Sequence, residues 1–113
     1  MKIASLIPVL MFVALPASAD PIDAKDAPAH VGQTAAVEGR LSVHRMPSGE
    51  IYLDLGGNGD AAPASGYVSK WNASRFSGVE ALDGKKVDIT GSIGSFRNRP
   101  DIFLTDPSQI TAK

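Results

Sequence analysis

The sequence predicts an all-β domain, a five-stranded barrel with one short helical connection between its third and fourth strands. Three observations carry that expectation. Apolar residues recur at every second position in separate runs, the period of a strand with one buried face. Segments bearing Pro and Gly divide the runs from one another. Glycines stand at the inward positions 39 and 91 of the first and fourth runs, where a strand bends sharply or another backbone comes close.

The first strand begins at Thr34, with Ala35, Val37, Gly39, Leu41 and Val43 on one face and Ala36, Glu38, Arg40, Ser42 and His44 on the other. "MPSG" at 46–49 is a turn by its Pro and Gly. Ile51, Leu53 and Leu55 then alternate with Tyr52 and Asp54 in a second strand, and "GGNGDAAPAS" follows as a loop. "GYVSKW" at 66–71 reads as the third strand, and "NASRFSGVEALDG" supplies the helical connection, with Asn72 as a cap and Gly78 limiting its length. Val87, Ile89, Gly91 and Ile93 form the fourth strand. Beyond a tip of Arg97, Asn98, Arg99 and Pro100, Ile102 and Leu104 alternate with Phe103 in the fifth, and Ile110 folds back to plug the barrel. The predicted interior holds Val37, Leu41, Leu53, Val87, Ile89, Ile93, Ile102 and Leu104. Three strands, a helical connection and two strands make the order of an OB-fold, a partly open Greek-key barrel.

Ahead of the barrel, residues 1–19 have one lysine, an apolar run from Ile3 to Leu15 and Ala17-Ser18-Ala19. This is the pattern of a secretory signal peptide with an A-x-A cleavage site. The run is shorter than the roughly 20 apolar residues of a membrane span and contains Pro8. Cleavage is expected before Asp20, giving a periplasmic or secreted protein with no membrane span after signal removal. Residues 20–32, rich in Asp and Pro, read as a mobile leader ending in a short helical turn, and residues 33–113 as the OB-fold domain.

The chain has no cysteine, so it has neither disulfide nor thiol chemistry, and fewer than a hundred mature residues must fold on their apolar core alone. Its 11 Lys and Arg stand against 12 Asp and Glu. Removing Lys2 with the signal leaves ten against twelve, a charge of −2. Non-specific binding through overall charge is therefore not implied, and an anion site requires local clustering.

Catalytic patterns fail in turn. "GGNGD" is shaped like one calcium-binding repeat, but it occurs once and Ala61 stands where the liganding Asp belongs. His30 and His44 have no partner at metal-ligand spacing. There is no G-x-S-x-G elbow and no Ser-His-Asp set, and the carboxylates Asp54, Asp88, Asp101 and Asp106 are scattered. The chain reads as a non-enzyme with no cofactor and no metal. Asn72-Ala73-Ser74 matches a glycosylation acceptor, to which no role is given.

Four segments carry a resemblance: "HVGQTAAVEGRL", "IYLDLGG", "LDGKKVDITGSI" and "RPDIFLTDPSQI". Together they resemble the small OB-fold domains of the nucleic-acid-binding superfamily in bacterial exported proteins, some of which lie beside nuclease domains. The resemblance runs from about His30 to Ile110. It implies single-stranded nucleic acid or another anionic oligomer as ligand. In such barrels the loop after strand one and the loop between strands four and five flank one binding face. Those loops place His44 and Arg45 opposite Arg97 and Arg99, with Arg40 extending the patch. Arginine forks hold phosphate or carboxylate, and Tyr52 or Trp71, with Tyr67, Phe96 or Phe103, offer rings for stacking. The alternatives are an envelope protein that docks on a protein partner or captures a small charged ligand, and an accessory to a nuclease chain.

Overall fold

The computed structural model describes residues 20–113, so the expected signal at 1–19 lies outside the described residues. Seven strands follow in chain order: β1 (Ile22–Asp23), β2 (Thr34–Arg45), β3 (Ile51–Leu55), β4 (Ala64–Val68), β5 (Lys86–Phe96), β6 (Arg99–Phe103) and β7 (Ile110–Ala112). Five of them, in the order β2-β3-β4-β6-β5, close into a barrel through a β2–β5 pairing, while β1 and β7 extend it. The expected all-β OB-type barrel is the observed fold.

Closure depends on strands long enough to belong to two sides. Along β2, residues from Thr34 to Arg40 pair with β5, and those from Leu41 to Arg45 pair with β3. Just before that handover, a Cβ on Gly39 would sit 3.2 Å from the Gly56 nitrogen and 3.3 Å from Ala24 Cβ. β5 likewise leaves β2 after Ser92 and joins β6 at Ile93. Just before that change, a Cβ on Gly91 would meet Ile102 Cγ2 at 2.7 Å. Close approach is thus the reason for both inward glycines.

All eight predicted interior residues are buried at 3 % exposure or less. Phe76 and Val79 join them from two 3₁₀ turns, Ala73–Phe76 and Val79–Leu82, which are the helical connection. Asn72 occupies the capping position there, but its side chain accepts no cap hydrogen bond.

Three local readings change. The third strand starts at Ala64 and ends at Val68, so Trp71 lies beyond it in a turn. The leader is packed rather than mobile: β1 pairs in parallel with β2, and the 3₁₀ helix Ala24–His30 buries Ala24 and Ala27 in the core. Its cap is Asp23, which accepts from the Lys25 backbone N–H at 3.1 Å. Ile110 packs on the core, as expected, but does so from β7, opposite Ile89.

Candidate functional site

Strand alternation and register build one outer face. Because Ile51, Leu53 and Leu55 point inward, Tyr52 and Asp54 point outward. Tyr52 lies opposite Tyr67 on β4, and Tyr67 opposite Phe103 on β6. The neighbouring row runs Asp54, Ser65, Asp101 and Gly94 across β3, β4, β6 and β5. An aromatic row thus lies beside a polar one.

Tyr67 is the centre of the rings: its centroid is 5.5 Å from Tyr52, 5.9 Å from Phe103 and 6.3 Å from Phe96, all tilted. Phe96 and Phe103, each against Tyr67, remain 42 % and 52 % exposed, so the face keeps an exposed apolar surface. The rings and Asp101 surround an open cleft of about 510 Å³. Burial pushes the Asp101 carboxyl above the ordinary aspartate range, against the opposing pull of the Ser65 hydrogen bond and the Arg99 charge. Burial and the neighbouring Glu50, Tyr52 and Asp101 also raise the Tyr67 hydroxyl.

The seven sequence-predicted residues separate into distinct roles. Arg97 and Tyr52 come together, with the Arg97 guanidinium carbon 5.9 Å from the Tyr52 centroid and 5.0 Å from that of Phe96. His44 lies opposite Tyr52 on β2 and lines an adjoining cleft of about 310 Å³ with Tyr52, Phe96 and Arg97. Its Nε2 is 3.3 Å from Asp54 Oδ2 and buried, yet the angle makes no hydrogen bond.

Arg99 is not an exposed tip residue. It begins β6, its side chain is only 21 % exposed, and its guanidinium donates to the Gly59 and Ala62 carbonyls and to Asp54 Oδ1 at 3.4 Å. Gly59 N–H completes the clamp by donating to Asp54 Oδ2 at 2.7 Å. The acidic glycine loop is thereby tied down over a buried Asp54. Arg45 is paired with Glu80 at 2.6 Å and also donates to the Phe76 carbonyl; the Glu80 hydrogen bond raises the guanidinium and lowers the carboxyl. Arg40 donates to the Gly84 carbonyl at 2.5 Å, outside the aromatic face. Trp71, 81 % exposed, stands apart beneath Lys70.

Sequence reasoning passed over Asp101, Ser65 and Gly94 as a group. The signal available was alternation itself: with Ile102 and Leu104 inward, Asp101 and Phe103 face outward together. Their alignment with Ser65 and Gly94 depends on register across three strands, which no single run of sequence states.

No family model matches the chain, and no curated protein matches it. Among solved structures it is similar to a protein of Leishmania major Friedlin assigned as an aspartyl-tRNA synthetase, with a TM-score of 0.56 and 10% sequence identity. The similarity covers 93% of this chain and 22% of that one, so the chain spans about a fifth of its neighbour's length. At that identity the likeness shows the OB-type fold alone.

Proposed function

We propose that this chain is a non-catalytic, exported binding module whose aromatic face takes single-stranded nucleic acid. The observation that carries the reading is the joined surface of Tyr52, Tyr67, Phe103 and Phe96 with Arg97 over two of the rings. Each base stacked on such a ring contributes about 1–3 kcal/mol. The face lies on the second and third barrel strands and reaches the loop between the last two, the region that binds oligonucleotides in OB-folds. Arg97 supplies the phosphate contact. Arg99 and Arg45 hold protein groups, so the salt dependence is shallow, with a log–log slope near −1 rather than that of a basic groove.

The test is fluorescence anisotropy with labelled dT12 at low salt, on wild type and on Gly94→Val. A Cβ at Gly94 meets nothing closer than the Asp101 carbonyl oxygen at 3.6 Å, so the valine folds and projects its methyls into the cleft. Binding is expected in wild type and a loss of about tenfold or more in the variant, the equivalent of one stacked base. Absence of wild-type affinity for both DNA and RNA single strands sinks the reading. Asp101 in the cleft favours a second reading, a small cation held against the rings, which a tetramethylammonium titration of tyrosine fluorescence detects. Export rests on residues 1–19 as sequence and is checked by the intact mass of the native protein, expected to start at Asp20.

A further inference from the structure

The cleft contains a carboxyl group that the protein engages through only one of its two oxygens. Asp101 points outward from β6 because its neighbours Pro100 and Ile102 are buried. Its strand partner across the sheet is Gly94, which has no side chain to cover it. Ser65, itself 3 % exposed, donates to Asp101 Oδ1 at 2.7 Å and fixes the plane of the group. Among the described residues, no protein donor reaches Oδ2.

Oδ2, and the remaining acceptor capacity of Oδ1, are open to donors on whatever lies against the rings. Phosphate offers none. A small cation engages Asp101 but leaves Arg97, whose guanidinium lies over Tyr52 and Phe96, without an anionic partner. A nucleotide satisfies both groups, with its base edge toward Asp101 and its phosphate toward Arg97.

The four bases differ in what they present to a carboxylate. Guanine shows two adjacent donors on its Watson–Crick edge, N1–H and the N2 amino group, matching two carboxyl oxygens. Adenine and cytosine each present an amino group next to an acceptor nitrogen. Thymine and uracil hold one N–H between two carbonyl oxygens, which a carboxylate repels. Bases splayed from a single strand are read on these edges.

We propose that Asp101, oriented by Ser65, is a specificity-determining residue that selects guanine at the aromatic cleft. The inference rests on the nucleic-acid reading of the same face and adds to it a preference that stacking alone does not produce.

The test uses labelled heptamers with a single central variable base, d(TTTGTTT), d(TTTATTT), d(TTTCTTT) and d(TTTTTTT), measured by anisotropy at pH 7.5 and low salt. Wild type is expected to bind the guanine heptamer about tenfold more tightly than the thymine one, within the discrimination of a good bidentate base contact. In Asp101→Asn, which keeps the size and an oxygen acceptor for Ser65, the guanine and thymine heptamers are expected to bind within about twofold of each other. Equal wild-type affinity for all four heptamers overturns the guanine assignment while leaving single-strand binding intact. A guanine preference that survives in Asp101→Asn assigns the reading elsewhere and also overturns it. No binding to any heptamer removes the nucleic-acid reading itself.

Discussion

Two arginines two positions apart do opposite things, and the backbone decides which does what. Arg97 and Asn98 have φ of 54° and 63°, left-handed values at both central residues of a two-residue hairpin loop, as a type I′ turn requires. Asn tolerates that region, whereas Arg at 97 costs about 1–2 kcal/mol. The turn also returns Arg99 to the ladder opposite Phe96. From sequence the tip reads as four residues, because the turn type that shortens it to two is not fixed by "RNRP". Arg97→Gly is therefore expected to stabilise the fold by about 1 kcal/mol while lowering the salt slope of binding by about one. Arg99→Ala leaves two carbonyls and a buried Asp54 oxygen without their donor and is expected to cost about 1–3 kcal/mol. Urea melts of the two variants should move in opposite directions; a common shift contradicts these roles. Asp101 shows the same tension between stability and function. Burial raises its folded pKa, so the native state holds the proton more firmly than the unfolded chain, whose Asp titrates near about 3.9. Its stabilising contribution is complete below that unfolded value and is lost as pH rises through the folded one. Relative to Asp101→Asn, wild type should gain stability as pH is lowered from neutrality toward about 4, and Asp101→Asn should be no less stable at neutral pH. Thermal melts across pH check both statements, and parallel pH profiles for the two proteins refute them.

The elements most legible in the sequence were those with the longest alternation. β2 and β5 each show one apolar face over many residues, and their register places Val37 opposite Ile89 and Gly39 opposite Val87. β1 and β7, of 2 and 3 residues, are too short to have a period, and they exist because a neighbouring strand edge accepts them. The edges of β4 are obscure in the sequence for a related reason: Ala64 and Ser65 are small residues that look like loop, yet both are buried, while Trp71 looks like strand and is exposed. Gly66 in the same strand shows how narrow the interior is, since a Cβ there would lie 2.8 Å from Leu104 Cδ1. Gly91 is the sharper case. Its absent side chain leaves room for Ile102 Cγ2, a branched methyl on a 3 % exposed residue, and a neighbour of that kind has little freedom to move. Gly91→Ala is expected to destabilise by about 1–3 kcal/mol, the range for overpacking a core. Gly94→Ala, on the outer side of the same strand, should remain within about 0.5 kcal/mol of wild type. Chemical denaturation of the pair separates inward from outward glycines, and equal midpoints would refute the barrel's inward assignment of position 91.

For the whole molecule, the question is where the folding unit starts. The composition of residues 20–32, three Asp and two Pro among few large apolar side chains, reads as leader because periodicity detects Leu, Ile and Val but gives no weight to alanine. Alanine is the side chain that fits here. Gly39 and Gly56 leave a shallow space on the barrel, and Ala24 Cβ lies 3.3 Å and 3.4 Å from where their own Cβ atoms would be. A larger residue at 24 would not enter, and a charged one would be stranded. Ala27 is fully buried beside it, and Ile22 packs on the core from β1. The barrel therefore has little margin without this segment, in keeping with a small domain that has no disulfide to limit its unfolded state. At about 0.8 kcal/mol per buried methyl or methylene group, the two alanines and part of Ile22 contribute roughly 2–3 kcal/mol. A fragment of residues 33–113 should thus unfold at a lower urea concentration than one of residues 20–113, with the loss near that size. It should retain the aromatic cleft, since Tyr52, Tyr67, Phe96 and Phe103 all come from strands beyond residue 50. Comparing the two fragments by urea melts and by anisotropy with dT12 under fully folding conditions separates the scales. A lower midpoint with unchanged affinity makes residues 22–30 part of the fold and not of the site. An unchanged midpoint would return them to a leader that merely rests on the barrel.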